Sequence, residues 1–264
     1  MPVHRIDSLD DPRLAPYREL KDHFAASRHG VFIAEGEHIV RRLLASGFQT
    51  QSVLLADRRA AELAPLAAGK TDVLVLPQAM MNELAGIKFH SGVLAAGVRR
   101  ASPTLAKVLA GDPGTIRLVV CPEIANAENL GSLIRLAAGF GATAMLLGPR
   151  SCDPFLRRTI RVSMGTVFTL PVVESADLAG DFATLKQRWG VHSVATVLDE
   201  SATPIKSAAR HERLALVFGN EAQGLSLDDI ALCDERVTIP MKLETDSLNV
   251  SIAAGILLYH YWTD

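Results

Sequence analysis

The chain has 264 residues, 48% of them hydrophobic and 21% charged, with a formal net charge of −2. That length suggests two modest domains or one large one, with enough buried surface to hold together without disulfide staples, and the composition excludes disorder over most of the chain. The near-neutral charge excludes a general nucleic-acid coater, so any RNA-contacting cations must be gathered on one face.

Cys121, Cys152 and Cys233 are far apart and form no C-x-x-C pair. A zinc knuckle or redox pair is therefore not expected, no metal ligand set is read, and a reduced cytoplasmic setting fits best. The opening MPVHRIDSLDD has no apolar core of a signal peptide, and no apolar run is long enough to span a bilayer, so no membrane partner is expected.

In chain order, residues 20–24 read as helical and residues 31–34 as a buried strand. Residues 38–45 carry apolar side chains at helical spacing, at Ile39, Leu43 and Leu44. Residues 52–56, 73–76 and 93–98 read as further strands. Residues 101–114, with Pro103, Pro113 and Gly114, read as a linker holding a helical turn at 105–109. A second part follows: strand 116–121, helix 130–140, strand 144–147, helix 155–162, strands 191–197, 214–218 and 237–239, and a last helix over 248–261. Strands alternating with helices predict an α/β class with a parallel sheet covered on both faces. The expected organisation is a smaller α/β domain over 1–100, a linker over 101–114 and a larger α/β domain over 115–264.

Three segments of the second part sit where strands meet loops, the place where ligands gather in open α/β sheets. The first runs from Asn126 to Arg135. Asn129 is placed to cap a helix, Gly131 permits close backbone approach, and Arg135 lies more than one turn further on. Read alone, this is equally a capped helix with one exposed arginine. In the second, the apolar run ending at Phe218 enters Gly219-Asn220-Glu221-Ala222-Gln223-Gly224, a polar loop held by two glycines. Glu221 is either a solvated carboxylate or a functional one. In the third, a strand ends at Ile239-Pro240-Met241. Ser247 is placed to cap the last helix, and Asn249 offers an amide that can both donate and accept.

Together, and in this order, these segments resemble the SpoU/TrmH family of RNA ribose methyltransferases, the knotted SPOUT class. The shared pattern is Asn129-Leu130-Gly131 with Arg135, Gly219-Asn220-Glu221 with Gly224-Leu225, Ile239-Pro240-Met241, and Ser247-Leu248-Asn249-Val250-Ser251. Arg161-Val162-Ser163-Met164-Gly165 resembles a further family turn. The first part is similar to the small substrate-binding domain of many members, a ribosomal-protein fold of the L30e type. That likeness rests on Phe32-Ile33-Ala34-Glu35-Gly36 and on the run His90 to Ala95. In one respect the chain departs from the pattern: members often carry Asp-Pro where Asn126-Ala127 stands here, and losing the proline loosens the loop.

The resemblance implies transfer of a methyl group from S-adenosylmethionine to a ribose 2′-hydroxyl of structured RNA, with ribosomal RNA ahead of transfer RNA. It implies a knotted cofactor site and a homodimer with the pocket near the subunit interface. It assigns Arg135 to steering the hydroxyl by gripping a phosphate, since an arginine is a poor base. Asn129, Ser247 and Asn249 then position the ribose, and Glu221 is one candidate to accept the proton. Cofactor contacts fall to Thr196, Gly219, Asn220, Gly224, Ile239, Met241 and Leu248. In the first part Arg18, Lys21, Arg28, Arg41 and Arg42, with His29 and Lys88 beside them, are the candidate RNA-binding stripe or, equally, solvated helix faces. Ile252, Ile256, Leu257 and Tyr259 of the last helix are candidate interface or plain core.

Two rivals remain at this level. One is a non-catalytic RNA-binding protein of the same fold. The other is a nucleotide-dependent dehydrogenase, which needs a glycine turn after the first strand of the sheet; Pro122-Glu123-Ile124 is the wrong chemistry, and Gly139-Phe140-Gly141 reads as a helix end.

Overall fold

The computed structural model describes residues 3–18, 20, 25–86, 89–111, 114–220, 222–241 and 248–263. The predicted helix at 20–24 lies mostly outside them, as do Lys21, Lys88, Glu221 and Ser247. The chain forms two compact units: Met1–Ala101 with Phe155–Thr169, and Ser102–Pro154 with Leu170–Asp264.

The first unit is built from β1 (Val3–Arg5), α1 (Ala25–Arg28), β2 (Val31–Glu35), α2 (Glu37–Ala45), β3 (Thr50–Ala56), α3 (Asp57–Ala67), β4 (Asp72–Leu76), α4 (Gln78–Ala85) and β5 (Val93–Val98). Its sheet has the order β1-β4-β3-β5-β2, with β5 antiparallel to both neighbours. Leu14, Tyr17, Ile33, Leu54, Leu74 and Leu94 form a core on one side of it. Buried Tyr17 donates to the Ser52 carbonyl and accepts the Ala96 N–H, so no polar atom of its ring is stranded. Gly97 is there for space: a Cβ at that position would enter the Phe32 ring.

The segment 155–169, assigned to the second part by sequence, packs in this unit. Phe155 and Phe168 stack on Phe32 with centroids 5.0 and 5.3 Å apart. The family turn at Arg161–Gly165 ends the helix Arg157–Val162 in left-handed backbone at Met164 and Gly165. Arg42 donates to the Met164 carbonyl at 2.8 Å and fixes that turn.

The second unit continues with α5 (Leu105–Val108), β6 (Ile116–Cys121), α6 (Ala127–Gly139), β7 (Ala144–Leu147), α7 (Arg157–Val162, lent to the first unit), β8 (Val172–Glu174), α8 (Leu178–Trp189), β9 (His192–Thr196), β10 (Thr203–Pro204), β11 (Arg213–Val217), α9 (Leu227–Ala231), β12 (Glu235–Thr238) and α10 (Val250–Trp262). Its seven strands are parallel, in the order β10-β12-β9-β11-β6-β7-β8. Central β6 and β11 are buried along nearly their whole length, which is why, apart from Arg117 and Arg213 near their starts, their sequences run apolar without alternation. Strand order reverses beside β6, where β11 and then β9 lie on its far side. Such a switch opens a crevice at the carboxyl ends of the strands.

Candidate cofactor pocket and active site

The loops that leave β9, β11 and β12 and the start of α10 enclose one cavity of about 670 Å³. That is within the range of sites that hold a small organic ligand. Thr196, Gly219, Asn220, Gly224, Ile239, Met241 and Leu248, the seven residues picked from sequence, all line it. Leu225 and Leu257 add apolar wall.

The loop after β11 owes its shape to glycine. Asn220 and Gly224 exchange backbone hydrogen bonds at 2.9 Å, curling the chain tightly. A Cβ on Gly219 would strike the Gly224 carbonyl carbon and the Leu225 nitrogen. Gly224 takes φ +71°, a backbone that L side chains rarely adopt. The Asn220 side chain accepts the Ala222 N–H at 2.8 Å, and its amide reaches Glu123 at 3.4 Å. Thr196 donates its hydroxyl to the Val217 carbonyl at 2.8 Å, tying the end of β9 to β11.

Asn126, rather than Asn129, caps α6: its side chain accepts the N–H groups of Glu128 and Asn129 at 2.8 and 3.2 Å. The cap demands a short side-chain acceptor one position before the first helical residue, and Asn126 holds it. This also accounts for the departure from Asp-Pro, since Asn serves as cap as well as Asp does. Asn129 stands half-buried at the third helical position instead. At α10 the cap is Asn249, whose side chain accepts the Ser251 N–H at 2.9 Å, in place of the expected Ser247. The Asn249 amide nitrogen also donates to Asn129 Oδ1 at 3.0 Å. The two asparagines therefore meet at the pocket wall, which Asn249 lines.

Arg135 is exposed on α6 and does not line the pocket. Six residues of helix carry it about 9 Å along the axis from Asn129 and round to a different face. It makes no hydrogen bond or ion pair with a described residue. Exposed Ile252, Ile256 and Tyr259 form a stripe on α10 at 57%, 41% and 64% exposure, while Leu257 is core. The helix thus has one exposed apolar face and one buried face.

Two charged pocket residues were not singled out from sequence. Asp199 and Arg236 pair at 2.8 Å on its rim. The Ser201 hydroxyl and N–H, with Arg236 beyond them, hold the Asp199 carboxyl below the usual carboxylate range. Asp199 follows a strand end by three residues, a position that could have drawn notice. Arg236 is recognisable only once β12 is known to pair with β9. Glu123 lies outside the cavity lining and links Arg150 at 2.5 Å to the Asn220 loop.

The expected RNA stripe of the first unit is not a row of free cations. Arg18 donates to the carbonyls of Leu9 and Asp11 at 2.8 and 3.0 Å, closing its own loop. Arg41 pairs with Glu37 one turn away, and Arg42 holds Met164. Arg28 and His29 are exposed at the end of α1.

A parallel sheet with a ligand cavity at the carboxyl ends of its strands, walled by glycine-shaped loops, defines a cofactor-binding α/β enzyme fold. Residues 117–259 match the SpoU rRNA Methylase family, and the chain belongs to it. It is 36% identical to a Mycobacterium bovis protein named as an uncharacterized tRNA/rRNA methyltransferase, over 97% of this chain and 91% of that one. It is 35% identical to the 23S rRNA (guanosine-2′-O-)-methyltransferase RlmB of Acinetobacter baylyi, over 68% of this chain and 73% of that one. The crystal structure of an AdoMet-bound rRNA methyltransferase from Sinorhizobium meliloti superposes with a TM-score of 0.83 at 25% identity, over 98% and 97% of the two chains. No described helix is long and apolar enough to cross a membrane.

Proposed function

We propose that this chain methylates a ribose 2′-hydroxyl of ribosomal RNA in the cytoplasm, with S-adenosylmethionine as cofactor. The observation that carries the reading is the pocket at the ends of β9, β11 and β12, with the Asn129–Asn249 pair on its wall.

The pocket suits the cofactor chemically. Ile239, Leu248 and Leu257 offer an apolar slot for an adenine ring, while Thr196, Asp199 and Asn220 offer polar groups to hydroxyls. When bound, the cofactor supplies a methyl group on a positively charged sulfur. The nucleophile is the RNA hydroxyl, a weak one, so the protein must align it and give its proton a destination. Asn249 and Asn129 position the ribose at the pocket mouth, a role the family resemblance extends to Ser247. Arg135 grips the adjoining phosphate with paired N–H donors. The proton leaves to a phosphate oxygen or a carboxylate, for which Glu221 is the candidate.

Arg135 lies outside the cavity of its own chain, so this reading also calls for a homodimer. The α10 stripe of Ile252, Ile256 and Tyr259 is the surface proposed to join two copies, and Arg135 of one copy then serves the pocket of the other. The loops that close the pocket are proposed to be the knotted part of the chain. The first unit is proposed to present the RNA, through the exposed Arg28 and cations near it.

The test is transfer of labelled methyl from S-adenosylmethionine to separated ribosomal and transfer RNA, followed by nucleoside analysis. Label on a 2′-O-methyl nucleoside of ribosomal RNA is the expected result. Label confined to transfer RNA would move the substrate class, and an absence of both transfer and cofactor binding would overturn the reading.

A further inference from the structure

At the amino-terminal edge of the same sheet, the end away from the cofactor pocket, three side chains from adjacent strands converge. His192 opens β9, Glu235 opens β12 and His211 lies two residues before β11. One donor atom from each lies within 4.8 Å of the other two. The imidazoles of His192 and His211 stack with centroids 3.9 Å apart. His192 Nε2 faces Glu235 Oε2 at 3.6 Å, yet it is buried and has no hydrogen-bond partner. A buried ring nitrogen left in that state is costly, and proteins ordinarily supply it with a proton, a water or a metal.

We propose that His192, His211 and Glu235 form a binding site for a divalent transition metal, with Zn2+ as the natural occupant. The donor set is two imidazoles and one carboxylate, which favours zinc and its neighbours over the oxygen-seeking magnesium and calcium. A tetrahedral zinc site sets its ligand atoms about 3.4 Å apart, so the three donors must draw in from within 4.8 Å and the two stacked rings must turn toward a common point. Asp234 Oδ2 stands 3.9 Å from His192 Nδ1 and can orient the ring from behind, as carboxylates do behind metal-bound histidines. Asp234 is itself held by Lys186 and by the Ser193 N–H and hydroxyl. Three protein ligands leave the fourth position for water or a further ligand.

The metal would clip β11, β9 and β12, which lie side by side, at one end. The loops from their other ends line the pocket. Its role is therefore a brace on the pocket's scaffold, separate from the methyl-transfer chemistry. Local motif spacing gives no sign of it, because the three ligands are distant in sequence and meet only through strand pairing.

The experiment is titration of the tag-free, metal-stripped full chain with Zn2+ by calorimetry, with Co2+ absorption as a second reading. The expected result is one site per chain of micromolar or tighter affinity, a higher melting temperature, and cobalt bands of a nitrogen- and oxygen-ligated tetrahedral ion. His211→Ala, in a loop outside any strand, and Glu235→Gln should each weaken Zn2+ at least about tenfold. Undiminished binding in both variants would overturn the proposal, as would no binding at all. A thiolate-to-cobalt band would place the ion on Cys152 or Cys233 and overturn it equally. None of these readings depends on methyl transfer.

Discussion

The amide nitrogen of Asn249 donates to Asn129 Oδ1 at 3.0 Å, joining the cap of α10 to the first turn of α6 across 120 positions of sequence. The same Asn249 side chain, through its oxygen, caps α10 on the Ser251 N–H. The two duties separate by substitution. Asp caps as well as Asn does, but has no amide to donate. Asn249→Asp should leave the melting temperature unchanged and cut methyl transfer about a hundredfold, the scale of a misplaced reacting group. Asn249→Ala loses the cap too, about 1 kcal/mol, or roughly 2–4 °C for a chain of this size. Thermal melts beside single-turnover assays read both. An active Asn249→Asp enzyme would reduce the residue to its cap.

Arg135→Ala should abolish transfer while leaving cofactor affinity intact, since Arg135 does not line the cavity. The dimer reading makes a sharper claim. Neither Arg135→Ala nor Asn249→Ala homodimers should turn over. A mixed dimer of the two carries one site with both defects and one with neither, so co-refolded mixtures should recover about a quarter of wild-type activity. A site completed within one chain would recover none.

The exposed Ile252, Ile256 and Tyr259 bear on the same point. Placing a carboxylate in a buried apolar contact is strongly unfavourable. Ile252→Asp combined with Tyr259→Glu should yield monomers in sedimentation experiments with a normal melting profile, and should lose transfer. A monomeric wild type would remove both the stripe and the trans-acting arginine from the mechanism.

Buried strands were the most legible elements. The runs at Ile116–Cys121, Ala144–Leu147 and Val93–Val98 are apolar but for Arg117, and the structure has them with those bounds. Helix α8 was readable but passed over: Leu178, Phe182, Leu185 and Trp189 repeat at helical spacing between the Asp177 cap and Gly190. Helix α3 is alanine-rich and carries Pro65, which blurs both its pattern and its end. Strands β1 and β10 are too short for any period. The antiparallel β5 needs pairing information that alternation of elements does not contain. In the pocket, the glycine loop and Ile239-Pro240-Met241 could be found because each sits at the end of an apolar run. The exchange of caps between Asn129 and Asn126, and between Ser247 and Asn249, could not: two candidates three or fewer residues apart satisfy the same local rule, and only the helix phase decides.

Asp199 gives the pocket a pH limit. Its carboxyl is held below the usual carboxylate range, first by the Ser201 hydroxyl and N–H and then by Arg236. A group with a depressed pKa contributes fully above its ordinary value of 3.8 and loses that contribution as pH falls through the lower folded value. Cofactor affinity should therefore be flat from neutral pH down past 3.8 as far as Asp199 is concerned, and weaken only below it. Asp199→Asn should bind more weakly at neutral pH, having lost an acceptor for the cofactor's hydroxyls, and should show no Asp199-dependent decline in acid. Calorimetric titrations of both proteins from pH 7 downward test this. Equal affinity at neutral pH would confine Asp199 to ordering its own loop.

Gly219 tests whether the curled loop is a requirement of the pocket. Its Cβ would meet Gly224 and Leu225 backbone, which cannot yield as a side chain can. Gly219→Ala must therefore open the Asn220–Gly224 bridge and displace the pocket wall. The expected loss in cofactor affinity is at least about tenfold, the effect of a small misplacement in a preorganised site. Gly224→Ala is the control: nothing lies within 4 Å of its Cβ, and only the φ of +71° opposes it. That costs roughly 1–2 kcal/mol of backbone strain, so its melting temperature should fall while cofactor binding weakens less than in Gly219→Ala. If the alanine at 219 binds cofactor normally, the loop moves more freely than its backbone contacts allow, and the pocket is not shaped by that glycine.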